Sequence, residues 1–202
     1  MGGGGSCKSI VINMLDVKSM QAKFAEAVSL AEGNRIDILV NSAGVYNPSL
    51  NDFLELTEEG YDSTMNINLK GVYFMCQAAA KYMIENGIRG HILNISSQAE
   101  LEPAFSPYRL SKWGVRAITS GLAKVLLPHG IIVNAIAPGP CATDMQNWQE
   151  GESIYSWDNP AKRLVMPEEV AEYALLMASD MGNMVVGSTL YISGGRGVIE
   201  VR

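Results

Sequence analysis

Short runs of β-branched and aliphatic residues alternate along the chain with longer segments whose apolar positions recur at helical spacing. Such alternation is typical of a parallel sheet whose strands are joined by helices. Five runs have the length and composition of strands, namely residues 9–15, 36–41, 91–96, 131–136 and 187–193. The pattern therefore predicts an α/β fold, with a parallel sheet covered by helices.

The segments between these runs carry helix start and stop signals. Residues 17–32 place Met20 and Phe24 on one face and stop at Gly33, which suits the end of a helix. Thr57, followed by two glutamates, marks the start of a long helical region that extends to about Asn86. Further helices are predicted over residues 108–127 and 167–180, and residues 141–165 are predicted to form a loop-and-helix excursion whose part 146–163 is a lid.

The composition indicates one globular domain. The chain has 202 residues, of which 48% are hydrophobic and 18% charged, and it contains no internal repeat. We predict a glycine-rich flexible tract over residues 1–7 and a single domain over residues 8–202.

Charge and hydropathy exclude several classes of partner. The net charge of −6 gives no electrostatic footprint for nucleic acid, and no apolar run reaches the ~18 residues of a membrane span. The first residues contain no hydrophobic signal segment, so a cytoplasmic location is expected. Only two histidines and three scattered cysteines are present, which predicts no metal site.

Tyr108 and Lys112 are the first candidate chemical groups. Residues four apart share a face of a helix, so the two side chains can approach each other. A cation at ~4–6 Å lowers a tyrosine pKa by ~1–3, which would suit Tyr108 to proton transfer near neutral pH. The pair alone is a weak signal, because such spacing also arises by chance.

Other small or polar residues follow the predicted strands. Ser97 ends one strand, Asn41 begins the segment Asn-Ser-Ala-Gly after another, and Thr143 follows a Pro-Gly-Pro turn after a third. Carboxyl ends of parallel strands meet at one edge of the sheet, where active sites form. Asn68 is a polar residue inside an otherwise apolar helix. Taken singly, each of these residues could simply cap a helix, form a turn or be a hydrogen-bonded amide in the core. Their order and placement together favour an active site.

With these residues in place, the sequence resembles the classical short-chain dehydrogenase/reductase family, and in particular its 3-oxoacyl-[acyl-carrier-protein] reductase and hydroxysteroid dehydrogenase branches. The resemblance runs from about Ile10 to Ile199. It implies a Rossmann-like, doubly wound parallel sheet and an NAD(P)-dependent oxidoreductase that interconverts small-molecule carbonyls and alcohols.

The resemblance also implies roles for the candidate residues. Ser97 would bind the substrate carbonyl, and Tyr108 would act as general acid/base. Lys112 would lower the pKa of Tyr108 and bind the nicotinamide ribose, while Asn68 would hold a water that relays protons. Ser96 is a second candidate for the serine, because the spacing from Ser97 to Tyr108 is slightly short for the family. The residues implied to bind NAD or NADP are Asp16, Asn41, Ala43, Gly44, Tyr108, Lys112, Pro138, Gly139, Cys141 and Thr143.

One part of the family's pattern has no counterpart here. The Thr-Gly-x-x-x-Gly-x-Gly turn, with the strands on either side of it, is not found in the sequence. The resemblance therefore implies an N-terminally truncated domain without strands 1 and 2, in which residues 9–15 pair with residues 36–41 or a partner chain covers the exposed edge. Dinucleotide binding is then expected to be weak.

Three functions follow from the resemblance. The first is an oxidoreductase. The second is a non-catalytic remnant that acts as a binding or structural oligomer, since the glycine turn is missing. The third, a nucleotide-sugar epimerase of the extended branch, is disfavoured because no substrate domain follows Ser193. The family also implies a homodimer or homotetramer formed through the helices over residues 62–86 and 108–127.

Overall fold

A four-stranded parallel sheet forms the centre of the computed structural model, which describes residues 6–199. The strands lie side by side in chain order, and each pairs in parallel with the next. They are β1 (Ile38–Asn41), β2 (His91–Ile95), β3 (Ile132–Pro138) and β4 (Thr189–Ile192). The predicted α/β fold with a parallel sheet is confirmed. Most of the predicted glycine-rich tract, residues 1–7, lies outside the described residues.

The predicted strand over residues 9–15 is wrong. Residues 6–13 have no regular secondary structure, and within residues 6–199 β1 pairs only with β2. The apolar side chains of this segment pack against helices instead: Ile12 and Met14 join the main hydrophobic core. A Cβ on Gly71 would lie 2.8 Å from the Met14 carbonyl oxygen, so the glycine permits this close approach. The outer edge of β1 therefore remains unpaired in the described residues, with Ile38 and Val40 half exposed.

Five α-helices and one π-helical segment connect the strands in the described part of the chain. The α-helices are α1 (Met20–Leu30), α2 (Glu58–Met65), α3 (Val72–Glu85), α4 (Pro107–Leu126) and α5 (Pro167–Met177). The π-helical segment Asn66–Gly71 joins α2 to α3. Short 3₁₀ turns span Glu32–Asn34, Pro48–Asn51, Gln98–Leu101, Leu127–His129, Asp144–Gln146 and Asp180–Gly182.

One of two local signals acts as the sequence predicts. Thr57 caps α2, because its hydroxyl oxygen accepts a hydrogen bond from the Gly60 N–H at 3.1 Å. Gly33 does not cap α1, because that helix ends at Leu30 and Ala31 follows it in an extended conformation; Gly33 has its left-handed φ of 62° inside the turn Glu32–Asn34. The excursion over residues 141–165 contains no helix longer than the turn Asp144–Gln146, so the helix expected there is not formed.

Apolar residues cover both faces of the sheet. Ile92 and Val133 lie in the larger core with α1, α3 and α4, whereas Leu93 and Ile136 lie in a smaller core with Met177 of α5. Successive strand residues point to opposite faces, so adjacent Ile92 and Leu93 place the two cores on opposite sides. The result is a three-layered, doubly wound arrangement in which the carboxyl ends of the strands stay accessible. No helix in residues 6–199 has the length and apolar character needed to cross a bilayer.

Candidate active site

A cavity of about 440 Å³ opens at the carboxyl edge of the sheet. Its lining comes from the segments that follow all four strands and from the first turns of α4, which is where ligands bind in parallel α/β sheets. Ser97, Tyr108 and Lys112 all line it. The structure therefore brings together the serine, tyrosine and lysine that the sequence predicts to form a site.

Tyr108 lies in the first turn of α4, where Pro107 suits the start of a helix. The Tyr46 ring packs against it nearly edge-on, with 4.9 Å between the ring centroids. Burial raises the pKa of Tyr108, and the neighbouring Ser97 hydroxyl offsets part of this effect. Desolvation of the phenolate therefore outweighs the effects that lower the pKa of Tyr108, and the influence expected of Lys112 stays a prediction.

Lys112 is anchored to the sheet. Its Nζ donates a hydrogen bond to the Ile95 carbonyl oxygen at 3.0 Å and lies 5.7 Å from the Tyr108 ring centroid. Only 6% of the residue is exposed. Burial lowers the pKa of Lys112 to about 8, while the negative charge of Glu100 acts in the opposite direction. The pKa of the Lys112 ammonium is therefore much closer to neutral pH than that of an exposed lysine.

Asn68 occupies the middle of the π-helical segment and is fully buried. Its Oδ1 accepts from the Val45 N–H at 2.8 Å, and its Nδ2 donates to the Val45 carbonyl at 2.9 Å. Nδ2 also lies 3.3 Å from the Ser111 hydroxyl oxygen, and that hydroxyl donates to the Tyr108 carbonyl at 2.6 Å. Asn68 thus connects the loop after β1 to the turn of α4 that carries Tyr108. Single π-helical turns often accompany functional residues in helices.

The two adjacent serines have different surroundings. Ser97 lines the cavity, and its Oγ accepts from the Ala99 N–H at 3.2 Å. The Ser96 hydroxyl bonds to the buried Glu100 carboxylate and lies 3.3 Å from the Lys112 carbonyl oxygen. Ser96 also lines the cavity, but Glu100 engages its hydroxyl, so Ser97 is the serine favoured to bind a ligand beside Tyr108.

The residues expected to bind a dinucleotide divide into two groups. Gly44, Pro138, Gly139, Cys141 and Thr143 line the cavity. Gly139 must be small, because a Cβ there would lie 3.0 Å from the Ser193 Cα where β3 and β4 end. Burial raises the pKa of the Cys141 thiol to about 11, so the thiol stays protonated at neutral pH.

Asp16, Asn41 and Ala43 do not line the cavity. Asp16 and Ala43 are exposed, and Asp16 belongs to an irregular segment rather than to a strand end. The Asn41 amide is buried and donates to Asn94 Oδ1 at 2.9 Å and to Cys76 Sγ at 3.2 Å. Asn41 therefore serves a polar network inside the sheet in this structure.

Several cavity residues were not identified from the sequence. Arg109 pairs with Glu102 at 2.7 Å, and Arg196 pairs with Asp158 at 2.5 Å; all four line the cavity. Of the predicted lid, Gln146, Ser156 and Asp158 reach the cavity but Trp148, Tyr155 and Trp157 do not. Glu102, Asp158 and Arg196 lie in loops and turns, which have no periodic pattern, so the sequence offered no signal for their convergence. Within residues 6–199 no group of three or more His, Cys, Asp and Glu side chains is placed to hold a metal ion.

Comparison with known families and proteins gives consistent matches over almost the whole chain. The family model described as enoyl-(acyl carrier protein) reductase matches residues 3–196. The chain is 35% identical over 193 residues to 2-dehydro-3-deoxy-D-gluconate 5-dehydrogenase of Dickeya dadantii, covering 93% of this chain and 75% of that protein. It is 38% identical over 200 residues to D-threitol dehydrogenase of Mycolicibacterium smegmatis, covering 96% and 75%.

Solved structures resemble the fold described above. A mutant of a short-chain dehydrogenase/reductase of Serratia marcescens superposes with a TM-score of 0.84 at 31% identity, covering 96% of this chain and 78% of that one. The structure of ElxO with NADP bound superposes with a TM-score of 0.80 at 28% identity, covering 91% and 75%.

Proposed function

The chain belongs to the short-chain dehydrogenase/reductase family of oxidoreductases, and from that premise we propose that it interconverts a carbonyl and an alcohol with Tyr108 as general acid/base. One observation carries the proposal: Ser97, Tyr108 and Lys112 line a single cavity, and Asn68 is bonded to the helical turn of Tyr108 through Ser111. The side chains needed to hold a carbonyl and to supply a proton thus converge on one volume.

Tyr108 supplies the proton in the direction of carbonyl reduction. Because burial raises its pKa, the phenol stays protonated at neutral pH and can donate to an oxygen that gains negative charge. The Ser97 hydroxyl faces the same cavity and can donate a second hydrogen bond to that oxygen. In the direction of alcohol oxidation, the phenolate must form first, so this direction is favoured by higher pH.

Lys112 and Asn68 support that proton transfer. An ammonium beside a forming phenolate stabilises its negative charge, and Lys112 Nζ lies 5.7 Å from the Tyr108 ring centroid. Asn68 fixes the loop after β1, from which Gly44 lines the cavity, against the first turns of α4. A water near Lys112 that relays protons stays a prediction from the family.

The cavity fits the nicotinamide half of NAD or NADP, which supplies the hydride when bound. A Cβ on Gly44 would lie 3.8 Å from Lys112 Nζ, so the glycine leaves the approach to the lysine open. Gly139 and Thr143 also line the cavity. Lys112, Gly44, Gly139 and Thr143 would hold this half. The adenine half has no corresponding cradle among Asp16, Asn41 and Ala43, so the expectation of weak dinucleotide binding stands.

The substrate is proposed to be a small polar carbonyl or alcohol. The cavity has the volume of a small-molecule site, and its lining includes Gln98, Arg109 and Arg196. The aromatic residues of the predicted lid, Trp148, Tyr155 and Trp157, lie outside the lining and add no apolar surface to it. A sugar acid or a polyol would use these polar groups, and the relatives named above act on compounds of these kinds by their names.

Self-association through α3 and α4 is proposed as well. Tyr73 on α3, and Trp113 and Val125 on α4, leave 42%, 43% and 63% of their surface exposed. Burial of such residues against a second copy would stabilise a homodimer or homotetramer. Light scattering coupled to size-exclusion chromatography tests this, and a monomer at high concentration would contradict it.

The function itself is tested by measuring oxidation of reduced nicotinamide with oxo sugar acids and 3-oxoacyl thioesters, and reduction of oxidised nicotinamide with polyols. Calorimetric titration of NADH and NADPH accompanies these assays. Turnover that the Tyr108→Phe variant loses is the expected result. Binding of a carbonyl compound without turnover would favour the non-catalytic alternative. Submicromolar binding of either dinucleotide would contradict the expectation of weak affinity.

A further inference from the structure

The Glu100 side chain is a charged group in the protein interior. It lies in the 3₁₀ turn Gln98–Leu101 that follows Ser97, and none of its surface is exposed. Burial of a carboxylate is costly unless hydrogen bonds and opposite charge compensate it. A buried carboxylate three residues after the serine of the site therefore requires an explanation.

Three side chains compensate this charge. The Ser96 hydroxyl bonds to Glu100 Oε2, and the Tyr191 hydroxyl donates to Oε1 at 2.6 Å. Burial and the hydrogen bond to Glu100 raise the pKa of Tyr191 to about 12, so this hydroxyl keeps its proton. Arg116 Nε lies 3.9 Å from Oε1, but 47% of the Arg116 side chain is exposed. The contacts of Glu100 with these three side chains link the end of β2, the 3₁₀ turn, α4 and β4.

Ser96 connects Glu100 to Lys112. Ser96 Oγ lies 3.3 Å from the Lys112 carbonyl oxygen, and Lys112 Nζ donates to Ile95, the residue before Ser96. The Ser96 hydroxyl has one proton, which it can donate either to the Glu100 carboxylate or to the Lys112 carbonyl oxygen. A carboxylate at Glu100 draws that proton and fixes the end of β2 between Glu100 and Lys112.

We propose that Glu100 is a positioning residue that supplies the buried negative charge which keeps the Lys112 ammonium charged. Glu100 reaches the reaction only through Ser96 and Lys112, since it does not line the cavity. The inference rests on the proposed function for the role of Lys112.

The electrostatic surroundings of Lys112 support this assignment. Burial lowers the pKa of Lys112 to about 8, and the Coulombic effect of Glu100 opposes the decrease. The other titratable groups in the cavity lining are Tyr46, Tyr108 and Cys141, together with the ion pairs Glu102–Arg109 and Asp158–Arg196. In those two pairs an arginine neutralises the carboxylate at 2.7 Å or less, whereas Arg116 is 3.9 Å from Glu100 and solvated. Glu100 therefore has more uncompensated charge to act on Lys112.

The test is an NMR titration of the Lys112 Nζ resonance in the full chain, which requires no turnover. In Glu100→Gln, the midpoint is expected to fall from about 8 to about 7 or below, as loss of a nearby opposite charge predicts. Glu100→Asp, which keeps the charge, should restore part of the difference. Glu102→Gln is the matched control and should leave the midpoint in place. An unchanged midpoint in folded Glu100→Gln overturns the inference.

A second measurement uses the unmodified chain and does not depend on whether a variant folds. The carboxyl carbon resonance of Glu100 should be that of a carboxylate at pH 7, and a protonated Glu100 would overturn the inference. If the chain turns over a substrate, Glu100→Gln should also move the pH dependence of kcat to lower pH with little change in KM. Complete inactivity of the unmodified chain would count against the proposed function and leave the NMR result to decide the role of Glu100.

Discussion

The ammonium of Lys112 is hydrogen-bonded to the main-chain carbonyl of Ile95 at 3.0 Å, which anchors the cation to the end of β2. Tyr108, one turn earlier on α4, is instead packed against Tyr46. Tyr108 and Lys112 are thus held in place by different contacts. Either residue can therefore be replaced without removing the contact that positions the other.

Replacement of Tyr108 by Phe should abolish catalysis and leave the fold intact. The change removes only the hydroxyl, and the ring can keep its contact with Tyr46. Loss of a general acid typically lowers kcat by roughly 10²–10⁴-fold. Steady-state kinetics with the substrate found in the turnover assays would measure this, alongside thermal unfolding. Tyr173→Phe, at an exposed position of α5, is the control, and equal loss of activity in both variants would contradict the role of Tyr108.

Replacement of Lys112 by Met should stabilise the protein at pH 7 and do so less at higher pH. The pKa of Lys112 is about 8 in the folded protein, against 10.5 for an unperturbed lysine. Between these two pH values the unfolded chain binds more protons than the folded one, so the free energy of unfolding rises with pH. At about 1.4 kcal/mol per pH unit, the cost of the buried charge below pH 8 is up to ~3 kcal/mol. Loss of the hydrogen bond to Ile95 offsets about 1 kcal/mol of the gain.

Urea unfolding of Lys112→Met at pH 7, 8.5 and 10 would measure that difference. Lys124→Met, at an exposed position of the same helix, should show little effect at each pH. A destabilisation by Lys112→Met that is the same at all three pH values would contradict burial of the charge as its cause.

The sequence predicted the parts of the fold that depend on local patterns. Thr57 caps α2 as expected, and Tyr108 and Lys112 face one cavity because α4 has the predicted period. The strand prediction for residues 9–15 was wrong, because its apolar run can be buried against helices as well as in a sheet. A short apolar run indicates burial and does not identify the element that covers it.

Polar contacts between residues far apart in the chain could not be predicted from the sequence. Glu100 and Tyr191 are 91 positions apart, and nothing in either local segment indicates their hydrogen bond. The same holds for the raised pKa of Tyr108, since the depth of burial around it depends on Tyr46 and on the loops after β2 and β3. A charge four residues away on a helix predicts one influence on a pKa, whereas desolvation depends on the whole fold.

Replacement of Asn68 by Ala should destabilise the protein and lower any activity. The variant leaves the N–H and the carbonyl of Val45 without their partners and removes the contact with Ser111. Unpaired buried polar groups cost about 1–3 kcal/mol each, so a loss of about 2–4 kcal/mol is expected. Chemical unfolding measures it. Asn66→Ala, at a half-buried position of the same π-helical segment, is the control, and an equal loss there would contradict a specific role for Asn68.

Two glycines of α4 should respond oppositely to replacement by Ala. A Cβ on Gly114 would lie 2.6 Å from a methyl group of Leu69 in the π-helical segment, so Leu69 would have to move and overpacking should cost about 1–3 kcal/mol. A Cβ on Gly121 would meet nothing within 4 Å, so this variant should gain about 0.5–1 kcal/mol from helix propensity. Thermal unfolding of the two variants against the unmodified chain gives both signs. Because Leu69 is next to Asn68, Gly114→Ala should also reduce turnover, whereas Gly121→Ala should not. If both substitutions stabilise the protein, α4 and the π-helical segment are less closely packed than described.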